Sequence, residues 1–214
     1  MYFGVKRFFD IILSLLGLII LSPILLITAI AIKAESKGPV IFKQERIGKN
    51  GKVFKIYKFR SMVVGAEKMG TGVYSKKGDS RVTKVGKFIR MTSIDELPQL
   101  VNIIKGEMSI IGPRPVLTYH PWKYEEYTEE QLKRFDVRPG ITGWAQIHGR
   151  KQVEWEKRIK FDVEYVEKVN FIMDLKIFLI TIYKVIFMKD NVNTSVTVKK
   201  ERNEDNVETN VYNK

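Results

Sequence analysis

The chain has no cysteine in 214 residues, which excludes a disulfide framework and a thiolate metal site and suits a reducing compartment. Its two histidines, His120 and His148, lie too far apart for metal-ligand spacing, and both read as incidental. There is no internal repeat. Neither Gly48-Lys-Asn-Gly51 nor the glycine-rich run Val137–Arg150 matches a Walker A loop or a dinucleotide G-x-G-x-x-G. Helix-turn-helix, zinc-finger and RNP signatures are missing too, so no nucleic-acid partner is expected. Acid is scarce beside base: 24 Asp and Glu against 37 Lys and Arg give a net charge of +13, which calls for an anionic partner. The composition, 44% hydrophobic and 29% charged, is that of a chain able to bury a core.

What is present begins with an uncharged run of 22 residues, Ile11 to Ile32, between Lys6-Arg7 and Lys33. As one helix it would measure roughly 33 Å, enough for a bilayer core of about 30 Å. Ser22-Pro23 interrupts its middle. Proline breaks or kinks a helix, and the carbonyl it frees needs another donor, for which the Ser22 hydroxyl is suited. A cleaved signal peptide is disfavoured by the length of the run. A kinked single span and a re-entrant hairpin both fit. The first places Lys6-Arg7 across the membrane from the rest of the chain, and the second sets every flanking cation beside anionic lipid. Either is a membrane anchor.

From Lys33 to Arg60 nine Lys or Arg face only Glu35 and Glu45. Val40–Phe42 and Val53–Phe59 have strand character about the Gly48–Gly51 turn, so a hairpin is expected, with lysines toward headgroups or on a solvated face. Ala66–Gly78 reads as a loop. Helices are expected at Lys87–Met91, Glu154–Val169 and Phe171–Met188; the last carries too many charges for a second span and suits a buried or interfacial helix. After Lys189 the chain is polar and reads as a disordered tail.

The chemistry concentrates in Met91-Thr-Ser-Ile-Asp-Glu-Leu-Pro-Gln-Leu100. Asp95 and Glu96 are adjacent carboxylates at an expected helix start, among arginines. One reading is structural: Ser93 and Glu96 fit a capping box, with the helix running on past Pro98 and Leu97, Leu100, Val101 and Ile104 on its apolar face. The other is phosphoryl transfer at a membrane surface. Arg81 pairs with Asp79 to shape a turn, or with Arg90 holds phosphate. Arg114 stands between Pro113 and Pro115, which fix the backbone and aim its guanidinium. Arg138 opens the glycine-rich run, whose exposed N–H groups suit a phosphate nest.

Leu21-Ser-Pro-Ile24, Lys58-Phe-Arg-Ser-Met62, Arg81-Val-Thr-Lys-Val-Gly86, Thr92–Leu100, Gly106-Glu-Met-Ser109, Gly112-Pro-Arg-Pro115 and Arg138-Pro-Gly-Ile-Thr-Gly143, in that order, resemble the bacterial sugar transferases. These are monotopic polyprenyl-phosphate phosphoglycosyl transferases. The resemblance runs from about Lys6 to about Lys184 and is to the small form of the family, without a multi-span extension. It implies an α+β membrane-associated fold: a re-entrant helical hairpin over residues 1–34 broken at Ser22 and Pro23, then a small catalytic domain of helices and short strands over 35–188 with interfacial amphipathic helices. The polar tail fills 189–214.

The implied reaction moves a sugar-1-phosphate from a UDP-sugar to undecaprenyl phosphate and releases UMP, starting glycan assembly at the cytoplasmic face of the bacterial inner membrane. Asp95 is then the nucleophile of a ping-pong route and a metal contact, Glu96 a base or metal ligand, Mg²⁺ the cofactor, and Arg81, Arg90, Arg114 and Arg138 the phosphate-binding cations. Anionic inner-leaflet lipid is an expected partner, and a homo-oligomer is left open. The rival from another class is a non-enzymatic membrane-anchored scaffold that binds acidic partners through its basic face. Glu107 and His148 depart from residues common in the family, and both are expected to bear on substrate choice.

Overall fold

The apolar N-terminus folds as two helices, α1 (Tyr2–Ile20) and α2 (Ser22–Glu35), bent by 62°. The computed structural model describes residues 2–70, 72, 75, 78–149 and 154–187; Arg150 and the tail expected over 189–214 lie outside them. Pro23 sits in the first turn of α2, where a missing N–H costs nothing. Its ring frees the Ile19 carbonyl, and the Ser22 hydroxyl donates to that oxygen at 2.8 Å, as the sequence led us to expect. Among the described residues no single helix is long and apolar enough to cross a membrane, whereas the bent pair together is, by length and composition.

α1 carries a polar stripe on the face turned to the rest of the chain. Tyr2 and Lys6 donate to Asp174, and Arg7 donates to the carbonyls of Ile103 and Ile104 at 2.7 and 3.1 Å. Asp10 accepts from the Ser109 hydroxyl and the Ile110 amide. Lys6 and Arg7 therefore turn toward the rest of the chain, because buried carboxylate and carbonyl oxygens offer them fixed partners. The opposite face, with Phe8, Phe9, Leu16, Ile19 and Ile20, is exposed, as are Leu26, Ile27 and Ile30 of α2.

The expected hairpin forms from β1 (Ile41–Ile47) and β2 (Val53–Phe59), paired antiparallel from Ile41–Phe59 to Ile47–Val53. Its turn needs left-handed backbone at Asn50 and Gly51. Next come α3 (Lys84–Met91) and α4 (Gln99–Lys105), then β3 (Ser109–Ile111) and β4 (Val116–Leu117). β4 pairs antiparallel with β1, giving the order β2-β1-β4. The short helix α5 (Glu129–Leu132) leads to β5 (Gly140–Thr142), which pairs parallel with β3. The helices α6 (Trp144–Ile147), α7 (Trp155–Lys168) and α8 (Phe171–Ile186) complete a small mixed α/β arrangement. α8 leaves Phe171, Ile172, Leu179, Ile186 and the following Phe187 exposed.

Two features of this scaffold set the position of the acidic pair. The expected helix from Ser93 does not form. Ser93 is left-handed (φ 60°) and its side chain makes no cap; Ile94–Glu96 is a 3₁₀ turn, and α4 starts only at Gln99, with Pro98 at its N-cap. The capping box is thereby replaced, since Glu96 spends its carboxylate elsewhere, and Pro98 takes the place where an N–H would be orphaned anyway. The buried face of α4 is Gln99, Asn102 and Ile103, while Val101 is exposed.

Asn102 explains the polar choice. Its Oδ1 accepts from the Tyr57 amide at 3.0 Å and its Nδ2 donates to the Lys55 carbonyl at 2.8 Å, so one side chain stands in for a strand along the edge of β2. Glu107 braces the same amide at 2.7 Å. The second feature is a cluster of Ile32, Phe59 and Ile89, with Leu25 and Ile94 against it, which seats α2 and α3 beside the acidic turn.

Candidate active site

Strand alternation delivers the first cation. Lys58 shares the face of β2 that buries Ile56 and Phe54, so its ammonium points under the acidic turn instead of toward solvent. Lys58 Nζ reaches Glu96 Oε1 at 2.8 Å, and Arg114 Nη2 reaches the same oxygen at 2.7 Å. Arg114 comes from the loop between β3 and β4. Arg90, on α3, is aimed by Ser61, whose Oγ accepts its Nε at 2.7 Å, and by Ser75 at 3.1 Å. α3 comes this close only because Gly86 has no side chain: a Cβ there would lie 2.0 Å from the Ser61 carbonyl oxygen.

The two carboxylates are treated in opposite ways. Burial opposes ionisation of Glu96, yet the Arg114 and Lys58 charges and their hydrogen bonds override it and hold the group well below the usual range. Among the described residues no hydrogen bond or ion pair reaches Asp95, which is half-buried. Burial, and then the Glu96 charge beside it, push its carboxyl up to about 6 against the weaker pull of Lys58, Arg90 and Arg114. Glu96 is a clamped anion and a poor base. Asp95 is a basic carboxylate with free lone pairs.

Of the predicted site residues, Asp95, Glu96, Arg90 and Arg114 come together. Arg81 pairs with Asp79 and donates to the carbonyls of Ala66, Met69 and Gly72, the turn-shaping alternative, and that pair lies close enough for both charges to act on Arg90. Asp79 is held far below its usual range by those Arg81 hydrogen bonds. Arg138 donates to the Gly106 carbonyl at the far end of α4, near Arg7. The C-terminal carbonyls of α4 draw it there, away from the acidic turn. His148 stacks on Phe161 and contacts Trp144. Lys58 is the member that sequence reasoning missed as a site residue; its period-two position with Phe54 and Ile56 was the available signal.

No cluster of three acidic or histidine ligands occurs among the described residues. Magnesium does not require one, because it is commonly held by one or two carboxylates plus substrate phosphates. The free oxygens of Asp95 and the second oxygen of Glu96 fit that manner of binding.

An unpaired basic carboxylate, an anion already neutralised beside it and several cations thus stand together. A family model described as bacterial sugar transferase matches residues 1–188, and the chain belongs to that family. It is 48% identical over 184 residues to the UDP-glucose:undecaprenyl-phosphate glucose-1-phosphate transferase of Klebsiella pneumoniae, covering 84% of this chain and 39% of the relative. It is 42% identical over 180 residues to the UDP-N-acetylgalactosamine-undecaprenyl-phosphate N-acetylgalactosaminephosphotransferase of Aeromonas hydrophila, covering 84% of this chain and 42% of the relative. The chain thus spans about two fifths of those relatives. The uncharacterized sugar transferase EpsL of Bacillus subtilis is 45% identical over 182 residues, covering 85% of this chain and 87% of EpsL.

Proposed function

We propose that this chain is a phosphoglycosyl transferase. It moves a sugar-1-phosphate from a UDP-sugar to undecaprenyl phosphate, releases UMP and so starts assembly of a glycan. The observation that carries the reading is the contrast within the acidic pair: Asp95 is unpaired and pushed up to about 6, while Glu96 is neutralised by Lys58 and Arg114.

An Asp95 oxygen attacks the sugar-linked phosphorus, and the bond from that phosphorus to the UMP oxygen breaks, leaving a phosphosugar on the carboxylate. The phosphate oxygen of the lipid then attacks the same phosphorus and the Asp95 oxygen leaves. No proton need be taken from the acceptor once its phosphate is ionised, which agrees with Glu96 being a poor base. Arg90 and the outer nitrogens of Arg114 offset the charge of the diphosphate, at roughly 1.5–3 kcal/mol for each charge-assisted hydrogen bond. Asp95 and Glu96 would hold Mg²⁺, which would supply further neutralisation of the diphosphate.

The bent pair of helices is a re-entrant anchor in one leaflet, and the exposed face of α8 lies on the same interface. Both ends of the pair are tied to one body. Lys6 and Arg7 bond to Asp174 and to the end of α4, while Glu35 accepts from the Lys84 and Val85 amides and Arg60 donates to the Lys37 and Ser36 carbonyls. A single span would part those ends by the thickness of a bilayer, about 30 Å. Both ends then lie on one side of the membrane, in this reading the cytoplasmic side of the inner membrane, where a polyprenyl phosphate keeps its head group in reach of Asp95.

The test is to incubate the protein with UDP-sugars without acceptor and weigh the intact chain. A mass increase of one sugar phosphate, mapped to Asp95 and discharged by undecaprenyl phosphate, is expected. Turnover without any such adduct would replace this route with direct transfer, and absence of turnover with every nucleotide sugar would overturn the assignment.

A further inference from the structure

The Pro-Arg-Pro loop is gripped from behind. Arg134 lies on the 3₁₀ turn Lys133–Phe135, is 3% exposed, and sends Nη2 to the Arg114 carbonyl at 3.0 Å. The same guanidinium bonds Asp162 Oδ2 through Nε and Nη2, at 3.2 and 2.6 Å. Asp162, on α7, is 1% exposed. One residue along, Arg46 Nη1 donates to the Pro115 carbonyl at 3.2 Å. Two guanidinium groups therefore hold two consecutive carbonyls of the segment whose side chain meets Glu96.

The prolines at 113 and 115 have no N–H, so carbonyls are the handles by which this backbone can be oriented. A buried ion pair is a weak source of stability, and apolar residues of similar volume often replace one at no loss. Here the pair lies beside Tyr127, Phe135, Ile159 and Val163, an apolar cluster that methionine and leucine would extend, with the Arg158 guanidinium as a further charge facing Asp162. An apolar pair could not supply the donor to the Arg114 carbonyl.

We propose that Arg134, braced by Asp162, is a positioning residue that fixes the direction in which Arg114 addresses Glu96. The inference rests on reading Arg114 as an active-site cation. It predicts that the Arg134 bond matters to turnover through Arg114 alone.

The experiment uses the full chain carrying Arg134→Met with Asp162→Leu. Its readouts are the thermal midpoint, turnover, and the rate at which phenylglyoxal modifies Arg114, mapped by peptide mass. The expected result is a midpoint within about 4 °C of the parent, turnover down by about tenfold to hundredfold, and faster modification of Arg114. Should the double variant not fold, Arg134→Lys, which keeps a cation for Asp162 without the forked donor, is read in the same way. Modification of Arg114 at the parental rate in a folded variant overturns the positioning role, whatever the turnover. Faster modification with parental turnover upholds the positioning and instead removes Arg114 from the proposed reaction, so the two failures are separable.

Discussion

Asp174 and Asp95 are both aspartates near cations, and the protein holds them in contrary states. Asp174 is 7% exposed and accepts from the Tyr2 hydroxyl, Lys6 Nζ and the Tyr165 hydroxyl. Its lone pairs are consumed in tying α1 to α8. Asp95 lies on a turn where two of the nearby cations, Lys58 and Arg114, are already committed to its neighbour. The difference teaches that carboxylate chemistry here is decided by the supply of donors. Where donors converge the acid is a fastener, and where a second acid intercepts them the first keeps its lone pairs free.

The most severe way to break this contrast is Asp95→Asn, expected to cut UMP release at least ~10³-fold. The same change should stabilise the fold. The Asp95 carboxyl titrates above its unfolded value near 3.9, so its ionisation opposes folding above pH about 6 and that penalty fades as pH falls below it. Removing it should raise the melting temperature by about 2–4 °C at pH 7.5. A lowered melting temperature would deny the contrast.

The converse substitution, Asp174→Ala, strands Lys6 and two tyrosine hydroxyls. It should cost about 3–5 kcal/mol in chemical denaturation, with turnover per folded molecule little changed. Loss of turnover without loss of stability would make Asp174 more than a fastener.

Lys58→Met sharpens the comparison by removing one cation from Glu96. Turnover should fall about tenfold to hundredfold. Adduct formation in the parent should require ionised Asp95 and decline as pH drops through about 6. Because the Lys58 charge pulls that carboxyl down, the decline in Lys58→Met should begin at higher pH. An unmoved acid limb in single-turnover measurements would disprove the coupling.

Ser22→Ala is the mildest change. It leaves the Ile19 carbonyl at the bend without its hydroxyl donor and should cost about 1 kcal/mol by thermal shift in detergent.

Sequence patterning located the two hairpin strands, the terminal helices, the proline bend and the acidic pair, because period-two alternation, uncharged runs and proline act locally; the short strands β3, β4 and β5 carried no such pattern. It failed where a distant partner decided the outcome. Ser93 reads as a helix cap, yet Glu96 is taken by Lys58 from a strand 38 residues earlier, and the cap is never made. Arg81 and Arg138 carry the same charge as Arg90 and Arg114, but carbonyls at a loop and at the end of α4 claim them first. Asn102, a polar residue on a buried helix face, had no local explanation until the strand edge it covers was in place.

That amide has a consequence for self-association. A strand at the rim of a sheet ordinarily offers its outward N–H and C=O groups to any neighbour that can extend the ladder. At the middle of β2 those groups are already occupied, by a side chain from the same molecule. Copies crowded together therefore cannot extend the ladder through the Tyr57 amide and the Lys55 carbonyl.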